Sequence, residues 1–217
     1  MDLLSLIGMA TKRRGDYFTQ AEALRKKVHS QPELEERMIN EANVLVKGLR
    51  DKQMRWEEYE RSLLDKTLIS ALTAVSLGAE DVNPRGKMER AWATIVGEML
   101  PPLHEFLAET KDALDNGGIL LGDKTQDFAE VRSWPGLLIR VIRYIANPSY
   151  SFFNLGQYYV RQDQGYREMR RVPKLDSRTC PDCVMFGRLG WQPLGTLPMP
   201  GKECQCYDRC RCSIEYR

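Results

Sequence analysis

The chain has 217 residues, 42% of them hydrophobic and 29% charged, with a formal net charge of +2. That length buries a core without help from sulfur and suits one or two domains, and so small a charge excludes a strong overall field. The balance is uneven, however: from Arg132 onward there are 14 Lys/Arg against 7 Asp/Glu, while the preceding residues carry 18 against 23. An acidic front half precedes a basic back half, which suits two surfaces with different partners.

The opening "MDLLSLIGMATKRR" places an acid before its apolar run and its basic residues after it, with no small-residue cleavage site. It is a poor signal peptide and reads as an amphipathic first helix docked on its own protein. No stretch approaches the roughly 20 apolar residues of a membrane span, so no membrane partner is expected. Between Gln20 and about Leu77 almost nothing breaks a helix except "SQPEL", where Ser30 can cap and Pro32 can occupy a first turn; two helices are predicted to meet there. In the second, Leu34, Met38, Leu45, Leu49, Trp56 and Leu63 recur at helical spacings, and "DKQMRWEEYERSLLDK" interleaves charges of both signs. The pattern predicts one apolar stripe beside a solvated face, long enough for a bundle or coiled-coil arm.

"GAEDVNPRG" is a turn cluster, and Met88 to Leu114 again shows helical spacing through Trp92, Val96, Met99, Leu100, Leu103 and Leu107. "MLPPLHEF" is predicted to kink or split that helix, since Pro102 lacks an amide donor and Pro101 restricts Leu100. "DNGGILLGDKTQD" reads as a loop or short hairpin around Gly117 and Gly118. A helix over "WPGLLIRVIRYIA" stops at Asn147 before Pro148, and "SYSFFNLGQYYVRQDQGYREMRRV" resumes a helical pattern. Beyond Pro173 the long periods vanish and Gly and Pro become frequent, as in "FGRLGWQPLGTLPMPG". The expected organisation is a helical body over 1–172 and a Cys-rich module over 173–217, too small to hold together on apolar contacts alone.

All 6 cysteines lie in that module. "CPDC", Cys180 to Cys183, is a knuckle whose two sulfurs can be aimed at one point. In "CRC", Cys210 and Cys212 share a face of any extended strand. A CxxC facing a second cysteine pair can enclose tetrahedral Zn²⁺. The preferred ligands are Cys180 and Cys183 with two of Cys206, Cys210 and Cys212, leaving Cys204 as the spare; an all-protein shell of this kind is closed and structural. With no export signal the chain is expected in a reducing cytosol, where clustered cysteines favour metal over disulfides. Three disulfides in an extracellular particle, or a redox CxxC, are the competing readings. Trp191 is expected to pack its ring over the metal knuckle.

The run "VPKLDSRTCPDC", then "GWQPLGTLPMPG", then "CYDRCRCSIEY" resembles the C-terminal region of phage head morphogenesis proteins, the Mu F-like minor head family. The matching positions are Asp176, Arg178, Thr179, Cys180, Pro181 and Cys183, then Pro198, Pro200 and Gly201, and finally Cys210, Arg211 and Cys212. The likeness covers the last 45 or so residues and extends more weakly over the helical segment before them. Many members have His-Pro ahead of the final Cys-Arg-Cys; this chain has "ECQCYDRC", so Cys206 stands where a ligand would be. The resemblance implies a low-copy virion component, made in the host cytoplasm, that assists head assembly near the portal, with the portal or major capsid protein as partner in an oligomeric assembly.

"YYVRQDQGYREMRRVPKLDSR" sets Arg161, Arg167, Arg170, Arg171, Lys174 and Arg178 among Tyr158, Tyr159 and Tyr166, a composition that could grip phosphate while rings stack on bases, although an ordinary solvated helix with core tyrosines is the preferred reading. His29 and His104 lie in charged helical contexts without a nucleophile motif, and Glu105 and Glu109 share a solvated helix face. No P-loop, zincin, nucleophile elbow or dinucleotide fingerprint occurs. The sequence therefore predicts a mainly α protein, an elongated helical body with a small zinc-binding module containing short β-hairpins, and a structural role in the phage head rather than an enzyme. The alternative is a zinc-containing nucleic-acid-binding protein.

Overall fold

Side-chain capping sets where four of the eight described helices begin. In the computed structural model, which describes residues 2–116, 133–201, 203–206 and 210–217, helix α1 (Leu3–Lys12) starts at Asp2, whose carboxylate accepts from the Ser5 amide at 2.9 Å. After α2 (Arg14–Arg25), Ser30 accepts from the Glu33 amide at 3.3 Å and Pro32 sits in the first turn of α3 (Gln31–Arg50), as its sequence predicts. Asn83 and Ser133 do the same for α5 (Pro84–Asp115) and α6 (Trp134–Ile145), both with Pro in the first turn.

The single long helix expected after Pro32 is in fact two. Helix α3 ends at Asp51, Lys52 takes a left-handed φ of 56°, and the Gln53 and Met54 amides both donate to the Gly48 carbonyl at 2.9 and 3.0 Å. The chain turns, and α4 (Trp56–Gly78) starts with Glu57 and Glu58 in its first turn, where the helix dipole favours them. Helix α4 keeps a solvated face in its first turns through Glu57, Glu58 and Arg61, but every residue from Ser70 to Ala79 is buried. It is the central helix, in contact with α2, α3, α5, α6 and α7 (Ser149–Asp163).

Small residues along α4 permit one very close crossing. A Cβ added to Gly78 would lie 1.9 Å from the Phe153 carbonyl oxygen, and one added to Gly156 would lie 2.2 Å from the Val75 carbonyl oxygen. Only glycine lets α4 and α7 approach this far. Around them a continuous core runs from Leu6 in α1 through Tyr17, Leu34, Leu63, Leu72, Ile95 and Phe106 to Leu155. The first helix does bury Leu6 and Ala10 against the body.

Helix α5 runs unbroken through Pro101 and Pro102, not split as its sequence suggests. Both prolines lie outside the core, so the carbonyls whose partners they remove can hydrate, and Tyr144 donates its hydroxyl to the Pro102 carbonyl at 2.9 Å. The expected loop or hairpin around Gly117 and Gly118 lies outside the described residues.

A second correction concerns "REMRRV". Instead of prolonging α7, residues Glu168–Val172 form strand β1, the centre of a three-stranded antiparallel sheet in the order β2-β1-β3, with β2 at Gln192–Pro193 and β3 at Ser213–Tyr216. The register pairs Met169 with Gln192 on one side and Arg171 with Ile214 on the other. This sheet therefore reaches back across Pro173 and draws its middle strand from before it. Between β1 and β2 lies one more helix, α8 (Pro181–Arg188). No described helix is long and apolar enough to cross a membrane.

Candidate metal centre

The alternation of β1 decides what the module contains. Met169 and Arg171 point inward. Met169 packs with Leu197 and Met199 into a small apolar cluster that includes Tyr158 of α7, which helps fasten the module to the body. Arg171, only 1% exposed, sends its guanidinium among the cysteines.

Cys180 is the N-cap of α8 and Cys183 lies in its first turn, so the CPDC knuckle is the start of a helix rather than a free turn. That helix is pressed against the end of β1: a Cβ on Gly187 would meet the Pro173 ring at 2.6 Å. Cys204 and Cys206 come from the following loop, anchored where the Gln205 amide donates to the Asp182 carboxylate at 2.9 Å. Cys210 and Cys212 are both buried on the extended run into β3, and Arg211 between them turns outward, the period-two alternation expected of "CRC".

All five expected ligands meet, and so does Cys204, which sequence leaves as the spare. The sulfurs form one chain of contacts: Cys180 to Cys206 at 3.4 Å, Cys206 to Cys183 at 3.3 Å and to Cys204 at 3.5 Å, Cys183 to Cys210 at 3.7 Å. Two sets have their sulfurs mutually within 4.8 Å: Cys180, Cys183, Cys204 and Cys206, and then Cys183, Cys210 and Cys212. The six are free thiols. Tetrahedral thiolates at about 2.3 Å from one ion lie about 3.8 Å from each other, which fits these separations. This cluster of soft donors could hold a metal ion.

Arg171 supplies the charge on the protein side. One of its terminal nitrogens reaches the sulfurs of Cys210, Cys183 and Cys204 at 3.2, 3.4 and 3.7 Å, and the other donates to the Pro198 carbonyl at 3.4 Å. The Phe186 ring lies 4.8 Å beneath the guanidinium and packs on the cysteine cluster. Phe186 thus has the place expected of Trp191, which instead lies between Arg170 and Arg217 at 4.8 and 4.6 Å.

Burial pushes the thiols of Cys183, Cys206 and Cys212 up from the ordinary cysteine value, favouring S–H. Burial opposes ionisation of Cys210 as well, but backbone hydrogen bonding at Cys212 and the Arg171 charge bring it down to about 7. For Cys183, Cys206 and Cys212 the thiolate form needs a cation beside it.

A second lock joins the two ends of the module. Asp176 holds Arg211 in a bidentate pair, both contacts 2.6 Å, and also accepts from the Arg178 amide at 2.9 Å, while Thr179 closes the turn by accepting from the Asp176 amide at 3.1 Å. Arg211, with Arg178, holds the Asp176 carboxyl far below the usual carboxylate range. The "DSRT" run thereby positions Cys180, and the arginine of "CRC" is what it grips. Both motifs stand out in the sequence but their roles do not; opposite charges flanking two cysteine pairs are the signal that could have paired them.

The basic stretch is divided by the fold. Arg161 pairs with Glu80 at 3.2 Å and Arg170 with Glu215 at 2.5 Å, whereas Arg167 and Lys174 are exposed. Arg171 is removed from any phosphate-facing surface by its burial. His29 is exposed, His104 partly buried, and Glu109 pairs with Arg140 at 2.6 Å. No protein-family model matches the chain, and neither any curated protein nor any solved structure does.

Proposed function

We propose that the C-terminal module is a structural zinc centre that makes a rigid docking unit, and that the chain serves as a minor head protein associated with the portal of a phage particle. The observation that carries the first part is the convergence of six cysteine sulfurs around the buried Arg171. A shell of thiolates alone is closed and gives stability instead of catalysis, which supports a structural role. The phage assignment is supported by the motifs at Asp176–Cys183 and Cys210–Cys212, whose residues are those that build the centre. Engagement of Arg161, Arg170 and Arg171 within the fold favours a protein-facing role over a phosphate-facing one.

The test is co-expression with the portal and major capsid proteins of the same phage. Nuclease-insensitive co-purification with either, lost when the module is deleted, is the expected result. Retention on DNA that falls steeply with salt, with no binding to either protein, would replace this reading by the nucleic-acid one.

A further inference from the structure

We propose that the module holds two tetrahedral metal ions, not one, with the Cys183 thiolate bridging them. The inference rests on the metal-centre reading above and specifies its stoichiometry. A single ion takes four thiolates, and the set Cys180, Cys183, Cys204 and Cys206 already supplies four. Cys210 and Cys212 would then be left as buried thiols, 5% and 2% exposed, packed on a filled site. They instead form a second set with Cys183, which is the only sulfur common to both. Cys183 is the least exposed of the six at 1% and lies 3.3 Å from Cys206 of the first set and 3.7 Å from Cys210 of the second.

Arg171 touches both sets. Its nitrogen is shared between Cys204 of the first set, Cys210 of the second and the bridging Cys183, with the shortest contact, 3.2 Å, to Cys210. A buried guanidinium is stable only beside negative charge. Six thiolates around two divalent ions leave a net charge of −2, which Arg171 partly cancels from inside. Lys174 and Arg178 cancel more from the rim of the small cleft over Cys180, Cys183, Cys206 and Cys212, where Arg211 is already paired with Asp176. The first ion has a complete sulfur shell, and the second is held by three sulfurs.

The experiment is native mass spectrometry of the full chain purified with zinc, paired with ¹¹³Cd NMR of cadmium-substituted protein. Two ions per chain and two sulfur-shifted ¹¹³Cd resonances, coupled to each other through the shared thiolate, are expected. The Cys212→Ser chain should lose one ion and one resonance and keep the other. One tightly bound ion in the wild type, with a single resonance unaffected in Cys212→Ser, would overturn the two-ion inference while leaving the zinc centre standing. No bound metal at all would overturn both. The wild-type spectrum decides the matter even if the variant does not fold.

Discussion

Replacing Arg171 by Met keeps most of the apolar stem of the side chain and removes the guanidinium with its charge and donors. One nitrogen lies 3.2 to 3.7 Å from three sulfurs, and a unit charge pair near 4 Å is worth about 4 kcal/mol at an effective dielectric constant of about 20. Desolvating the guanidinium takes back a large part of that. What remains should match other supporting contacts to metal ligands, which change affinity by roughly 10 to 100-fold; about 2 kcal/mol, or about 30-fold, is the expected loss. Chelator competition at constant pH measures it, with circular dichroism as the check that the helices persist. Arg171→Lys should fall between, because an ammonium cannot span three sulfurs as a guanidinium does. If Arg171→Met binds zinc within threefold of the wild type, the argument that the buried cation answers thiolate charge is wrong.

Gly156→Ala should destabilise the helical body by about 1 to 3 kcal/mol or more, since its methyl would meet the Val75 carbonyl at 2.2 Å, whereas Gly97→Ala, exposed on α5 with open space around it, should stabilise by up to about 1 kcal/mol; urea denaturation separates them. Metal removal by a strong chelator should expose residues 173–217 to protease while helical ellipticity is largely retained, because the body has its own core; simultaneous loss of both would contradict this. For Asp176 the folded carboxyl titrates below its ordinary value, so its contribution is present above the ordinary Asp range and disappears as pH falls through the lower folded value. Asp176→Asn should therefore loosen the 174–179 loop already at neutral pH, visible as faster backbone hydrogen exchange, and a variant that exchanges like the wild type would show that the Arg211 pair does not hold the loop.

The helices were legible wherever local chemistry decides them. Ser30 and Pro32 announce α3, and Pro148 announces the end of α6. The break at residues 51–55 was not, because a pattern of alternating charges reads as a solvated helix face whether or not the chain turns within it. Nor was the burial of α4, whose Ser, Ala, Thr and Gly look like an exposed face until another backbone is brought against them. Strand β1 was hidden for a related reason: its alternation places an arginine inward, and a buried arginine makes sense only once sulfurs from residues 183, 204 and 210 surround it. The meeting of the cysteines was visible in their spacing, but the place of Cys204 depends on a loop that no short-range rule describes.

X-ray absorption at the zinc edge of the purified, full-length protein bears most directly on the metal centre. A first shell dominated by sulfur at about 2.3 Å is the predicted spectrum. A shell of nitrogen and oxygen, or metal-free protein whose six cysteines are joined as disulfides, would contradict the account.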